Sequence, residues 1–239
     1  MKYAIVLFVV ASSLIDPVPG SQELPKHDVW HSLLQAYVNK SGIVNYAGFR
    51  QQEQHLQAYL SYLGKHPPKE HWSHEAKLAY YINLYNAGTV ALILEYYPVN
   101  SIKDIKRPWG KNRLQVGKDS LSLGKIENEI LRKMHEPRIH FAINCASYSC
   151  PKLRNEAYTA ARLEEQLQEA TIDFINDPAK NVLSPNRAAL SPIFKWFKAD
   201  FTEKGSLIEF LRPYTKVALT SNTKISYQPY DWSLNEIGK

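Results

Sequence analysis

The chain has 239 residues, 44% of them hydrophobic and 22% charged, with 15 tyrosines, 5 tryptophans and 2 cysteines. This length and composition suit one globular domain with a substantial core. The 29 Lys and Arg against 23 Asp and Glu give a formal charge of +6, but the basic residues are scattered and accompany no nucleic-acid motif, so a nucleic-acid binder is excluded and a solvated basic surface expected.

Residues 1–20 read as a secretory signal peptide: Lys2, the apolar run "YAIVLFVVASSLI", then small residues before a cleavage point after Gly20. The run is too short to span a bilayer, and no later segment reaches spanning length. Residues 21–239 are therefore expected to form a single domain, secreted or periplasmic, with no membrane span after signal removal. In such a compartment two cysteines often pair.

Along the chain, "HDVWHSLLQAYV" spaces Val29, Leu33, Leu34 and Tyr37 as a helix, and "IVNYAGF" reads as a short extended piece. "FRQQEQHLQAYLSYL" is a second amphipathic helix, closed by Gly64 and Pro67-Pro68. The third is the longest, with Ser73 as its cap and Pro98 as its stop. Its second half is apolar on nearly every side, which predicts burial at the domain centre, with Gly88 marking a close approach. "RLQVGKDSLSL" predicts a hairpin about Gly117, "GKIENEILRKM" a helix and "RIHFAIN" a strand. A helix capped by Thr159, a hairpin at Ser184-Pro185-Asn186, two short helical pieces and a final extended "KISYQPYDWSLN" follow. The class is α+β: a single domain with a central buried helix, further amphipathic helices and a small, mostly antiparallel sheet.

Cys145 stands where the expected strand opens into small and polar residues, a rigid yet accessible place for a nucleophile. His140 is the nearest base in sequence. Five residues along a regular strand, however, place the two side chains on opposite faces, so they meet only if the chain bends. The alternative is a Cys145–Cys150 disulfide closing a four-residue loop. Asn83 and Asn86, three apart on the buried helix, could orient an imidazole or satisfy the backbone of packed loops. Asp231 is a further carboxylate that could act in a site or hold a loop. His71 and His74 lack the His-Glu-x-x-His pattern, and no phosphate or dinucleotide motif occurs, so neither metal nor cofactor is expected.

The segments "AYYINLYNAGT", "YPVNSIKDI", "LSLGKIENEILR", "PRIHFAINCASYSCPKLRNEAYTA", "FKWFKADF" and "YDWSLN" resemble, in order, the domain of unknown function 547 family over about residues 30–235. The resemblance implies an α+β fold like the papain- and transglutaminase-like thiol hydrolases, with Cys145 as nucleophile. It also draws attention to Glu127, because members commonly carry Glu-His where this chain has Glu127-Asn128; asparagine cannot take a proton, which leaves His140 as the base. The leading expectation is thus an exported thiol hydrolase or acyl transferase acting on an amide or thioester of a peptide or cell-envelope polymer. In it Cys145 attacks, His140 moves the proton, Glu127 or an asparagine orients the ring, and the amides of Ala146-Ser147 receive the oxyanion. The alternatives are a non-catalytic binding or envelope-assembly domain with a structural Cys145–Cys150 bridge, and a redox protein cycling that pair.

Overall fold

The computed structural model describes residues 24–238, so the expected signal peptide at residues 1–20 lies outside the described residues. Three helices come first: α1 (Asp28–Tyr37), α2 (Tyr46–Gln51) and α3 (Glu53–Lys65). Of these, α2 and α3 pack on the 23-residue α4 (His74–Tyr96), the centre of the molecule, and α1 packs on α2 and α3. The Ser73 hydroxyl accepts from the Ala76 amide at 3.1 Å, satisfying one of the donors that a helix start leaves open. From Ala76 to Leu94 residues on every side of α4 are buried, among them both asparagines. Trp30 stacks on Tyr59 with 6.0 Å between ring centroids and joins α1 to α3.

The hairpin β1 (Leu114–Val116) and β2 (Asp119–Leu121) turns at Gly117, whose φ of 59° lies in the left-handed region glycine tolerates. Leu114 of β1 lies against Gly88 of α4: a Cβ there would meet Leu114 Cδ1 at 2.6 Å, which is the close approach expected. The chain continues through the short turn α5 (Leu123–Lys125) into a wider π turn over Ile126–Ile130. Then come α6 (Ile139–Ala142) and α7 (Leu163–Ile175). The last part holds β3 (Val182–Ser184), β4 (Arg187–Leu190), α8 (Ile193–Trp196), α9 (Lys198–Phe201), α10 (Leu207–Leu211) and β5 (Lys224–Tyr227). β4 pairs antiparallel with β3 and parallel with β5. The fold is a single α+β domain built round one buried helix, and no helix among the described residues is long and apolar enough to cross a membrane.

Two apolar clusters meet at α6. The larger surrounds α4 and includes Ile139, Ala142 and Ile143. The smaller is rich in phenylalanine and includes Phe141, Phe174, Phe194 and Phe201. Phe141 lies 5.1 Å from Phe174 and 5.6 Å from Phe194, centroid to centroid. One helical turn therefore faces both cores, and His140 sits within it.

Three local expectations are corrected. "RIHFAIN" is the helical turn α6, becoming extended only at Ile143; a short apolar run suits either period, and packing between the two cores decides it. "IVNYAGF" contributes two isolated bridges at Val44, to Val38 and Glu236, and then enters α2, because the Asn45 side chain accepts from the Gly48 amide at 2.9 Å and starts a helix. Thr159 opens a 3-10 turn without a side-chain cap, and α7 begins at Leu163.

Candidate active site

Immediately after α6 the chain is held by α4. The Asn86 amide donates to Ala142 O at 3.0 Å, and its carbonyl accepts from the Asn144 N–H at 2.8 Å. It thus supplies the two bonds a neighbouring strand would have supplied to this buried backbone. Asn144 Oδ1 in turn accepts from the Ala146 N–H at 2.8 Å, an Asx turn that holds Ala146 at φ 60°, sparsely populated for a residue with a Cβ. The C-terminal segment clamps the other side: Tyr148 N–H donates to Ser233 O at 2.7 Å and Asn235 N–H to Ala146 O at 3.2 Å. Within this braced loop Cys145 and Cys150 stand at disulfide distance, with Cα atoms 6.1 Å apart.

His140 is 2% exposed. Its ring stacks on Phe197 at 4.0 Å and lies 5.2 Å from Phe201, the residues that bracket α9. Asp200 of the same helix meets His140 Nε2 at 2.7 Å. A carboxylate only accepts, so Nε2 carries the proton and Nδ1 keeps its lone pair. Arg132 grips Asp200 with two bonds, Nε to Oδ2 at 2.7 Å and Nη2 to Oδ1 at 2.9 Å. Burial opposes charge on Asp200, but the hydrogen bonds from Arg132 and His140 prevail and hold its carboxyl well below the usual range. Burial lowers the His140 pKa below the usual 6.5, against the pull of Asp200, so the ring is neutral at pH 7.

Glu127 lies on the π turn, where its carboxylate Oε2 accepts from the Tyr85 hydroxyl at 3.1 Å. Burial raises its pKa, partly offset by that bond and by Arg132. Asn128 donates to Gly124 O at 2.9 Å and accepts from Arg132 Nη1 at 2.9 Å, so it braces the arginine that holds Asp200.

Glu127, Asn128, His140, Cys145 and Cys150 all open into one cavity of about 320 Å³. Its remaining wall is mostly aromatic: Tyr85, Trp109, Trp196, Phe197, Tyr230 and Trp232. Beside Cys145 Sγ lie Ser147 Oγ at 3.1 Å and the Tyr230 hydroxyl at 3.4 Å. Burial pushes the Tyr230 phenol up to about 12, a hydrogen bond from Ser147 notwithstanding, so it remains a hydroxyl at neutral pH.

The structure therefore brings Cys145, Cys150, His140 and Glu127 to one cavity and keeps Asn83, Asn86 and Asp231 off it. Asn86 holds the cysteine loop through its backbone. Asn83 pairs with both the N–H and the C=O of Tyr158, at 3.0 and 2.7 Å, away from the imidazole. Asp231 is exposed, and its carboxylate accepts from the Ser233 N–H at 2.8 Å beside the cysteine loop. Of the oxyanion donors expected at Ala146 and Ser147, the Ala146 N–H is corrected, because it is taken by Asn144 Oδ1. Sequence reasoning missed Asp200, Arg132 and Tyr230. Asp200 lies inside "FKWFKADF", and an acid between two phenylalanines was the signal available for it.

Two cysteines, an Asp-bound neutral histidine and an aromatic wall thus share one concave site of an α+β domain. Residues 69–175 match the family described as protein of unknown function, DUF547, which supports the family read from the YINLYN and NCAS–SCP motifs. The matched span covers α4 through α7, including Glu127, His140 and both cysteines, and stops short of Asp200 and Tyr230. No curated protein and no solved structure matches the chain.

Proposed function

We propose that this protein is a cysteine-dependent hydrolase or acyl transferase, exported by its leader and acting on an amide or thioester of a peptide or envelope polymer. The observation that carries the reading is that Cys145 and an Asp200-held imidazole line the same cavity. The papain- and transglutaminase-like comparison is part of this proposal and rests on the chemistry of these groups.

The thiol acts in its reduced state, which a dithiol produces by taking the bridge apart: the reductant becomes a disulfide and Cys145 and Cys150 become thiols. His140 Nδ1 then accepts the Cys145 proton. The sulfur bonds to the substrate carbonyl carbon, and the carbonyl π pair moves to oxygen. As that pair returns, the bond to the leaving group breaks, and the imidazolium gives the leaving group its proton. Water, deprotonated by His140, bonds to the acyl carbon, the carbon–sulfur bond breaks and the sulfur recovers the proton from the imidazolium, so the acyl group leaves as a carboxylic acid; another nucleophile in place of water makes the reaction a transfer. Asp200 stabilises the imidazolium between the steps.

Treating reduced protein with iodoacetamide at neutral pH tests this. Cys145 is expected to be alkylated faster than Cys150, and His140→Gln to slow that alkylation at least tenfold. An inert Cys145, or equal rates with and without His140, sinks the reading.

The second reading, a binding domain with a structural bridge, is favoured by the disulfide distance itself and by the Cys145 N–H donating to Cys150 Sγ at 2.9 Å. It requires Cys145→Ser and Cys150→Ser to lower the thermal midpoint equally. A Cys150→Ser protein that keeps its fold and a reactive Cys145 removes its support.

A further inference from the structure

Building on the thiol reading above, we infer that Tyr230 is a catalytic residue whose hydroxyl donates to the oxyanion formed when Cys145 attacks a carbonyl. An acyl-transfer site needs donors fixed beforehand where negative charge will develop, within about 3 Å of the carbonyl oxygen. In thiol enzymes main-chain amides beside the nucleophile often fill this role, but here most of them are committed elsewhere, and the Cys145 N–H itself donates to Cys150 Sγ at 2.9 Å. The Asn144 N–H goes to Asn86, that of Ala146 to Asn144 Oδ1, and those of Tyr148, Ser149 and Cys150 to Ser233 O, Asp231 O and Ser147 O.

The Tyr230 hydroxyl, by contrast, is within 3.4 Å of Cys145 Sγ and belongs to the cavity wall. Ser147 Oγ donates to the Tyr230 oxygen at 3.0 Å, so the phenolic proton is left to point away from Ser147, toward the sulfur and the space before it. A carbonyl carbon bonded to Sγ carries its oxygen into that same space. The ring is held by Trp196 and Trp232, at 4.8 and 4.5 Å between centroids, so the hydroxyl is positioned before the reaction rather than recruited during it. A phenol that keeps its proton to high pH remains a donor throughout the neutral range.

In the step, the Cys145 sulfur forms a bond to the carbonyl carbon, the π pair becomes the oxyanion lone pair, and the Tyr230 O–H bonds to it without transferring its proton. When the pair returns and the leaving group departs, Tyr230 is unchanged.

Two reactions of one thiol separate this role from others. 4-Nitrophenyl acetate acylates a thiolate through an oxyanion, whereas iodoacetamide alkylates it by displacement at saturated carbon, where no oxyanion forms. Both are measured on the full chain carrying Cys150→Ser, with and without Tyr230→Phe, following 4-nitrophenolate release and the mass of the Cys145 peptide. The expected result is that Tyr230→Phe slows Cys145 acylation about 100-fold and changes alkylation less than about twofold. Unchanged alkylation also shows that the loop is intact. Equal loss in both reactions overturns the proposal, since Tyr230 would then act on the thiolate or the fold, and so does no loss in either. A Cys145 that is alkylated but never acylated overturns it while leaving the thiol reading standing. A Cys145 inert to both sinks the thiol reading and this inference with it.

Discussion

Replacing Asn86 by alanine tests whether the central helix holds the cysteine loop in place. The side chain is 2% exposed and makes two bonds to buried main chain, to Ala142 O at 3.0 Å and from Asn144 N at 2.8 Å. Asn86→Ala leaves both groups without a partner, and an unpaired buried polar group costs about 1–3 kcal/mol. Two of them amount to roughly 4 kcal/mol, a large share of the 5–15 kcal/mol that typically stabilises a domain. At about 3 kcal/mol per molar urea, the midpoint of unfolding should fall by roughly 1.3 M. Asn83→Ala is the matched control: it removes two equivalent bonds to Tyr158, away from the cysteines. Both variants should lose similar stability, whereas only Asn86→Ala should alter the rate at which iodoacetamide reaches reduced Cys145. A loss below about 1 kcal/mol for Asn86→Ala refutes the account of these bonds. Equal effects of the two variants on alkylation refute the claim that Asn86 positions the site.

Burial lowers His27 from 6.5 to about 4 in the fold, so the native state disfavours its proton more than the unfolded chain does. Stability from this group is complete above pH 6.5 and declines as pH falls to about 4; the shift corresponds to about 3 kcal/mol at most, and His27→Gln should flatten that part of a urea-midpoint profile. Gly64→Ala should destabilise the protein by about 1–3 kcal/mol in calorimetry, although alanine is the better helix former, because the added Cβ would stand 2.6 Å from the Gln115 carbonyl oxygen. Asp200→Asn removes the carboxylate that favours protonated His140, so the imidazole pKa, already lowered by burial, should fall further by NMR titration; an upward shift would contradict the assignment.

The elements legible from sequence are those whose signals are local. Ser73 and Pro98 bound α4 because a cap and a ring that lacks an N–H act on their immediate neighbours. Gly117 marks its hairpin for the same reason. The reading of residues 139–142 failed because four residues, three of them apolar, show no decisive period, and their helical turn is selected by cores on two sides. That error also removed the strand argument that set His140 and Cys145 on opposite faces. Within the site, Cys145, His140 and Glu127 could be named from motif and chemistry. Asp200 lies 60 residues from His140 and Tyr230 lies 85 from Cys145, so their roles exist only once α9 and the C-terminal segment have folded back.

The junction of the two cores explains why this place, rather than another, holds a buried neutral histidine. Ile139, Ala142 and Ile143 belong to the cluster round α4, while Phe141 belongs to the phenylalanine cluster, so α6 is anchored on both sides. Its histidine is enclosed by Phe197 and Phe201, and the residue between them on α9 that reaches Nε2 is the carboxylate Asp200. The same short segment thus desolvates the imidazole and fixes its tautomer, two effects that act in opposite directions on its proton affinity. Arg132 keeps the carboxylate ionised, so the balance is set by burial, and the ring stays an unprotonated base at neutral pH. A base held in this way loses little freedom when it accepts a proton, which is what the proposed attack by Cys145 requires of it. Disturbing either core should therefore reach Cys145 through α6, even where no altered residue touches the cavity.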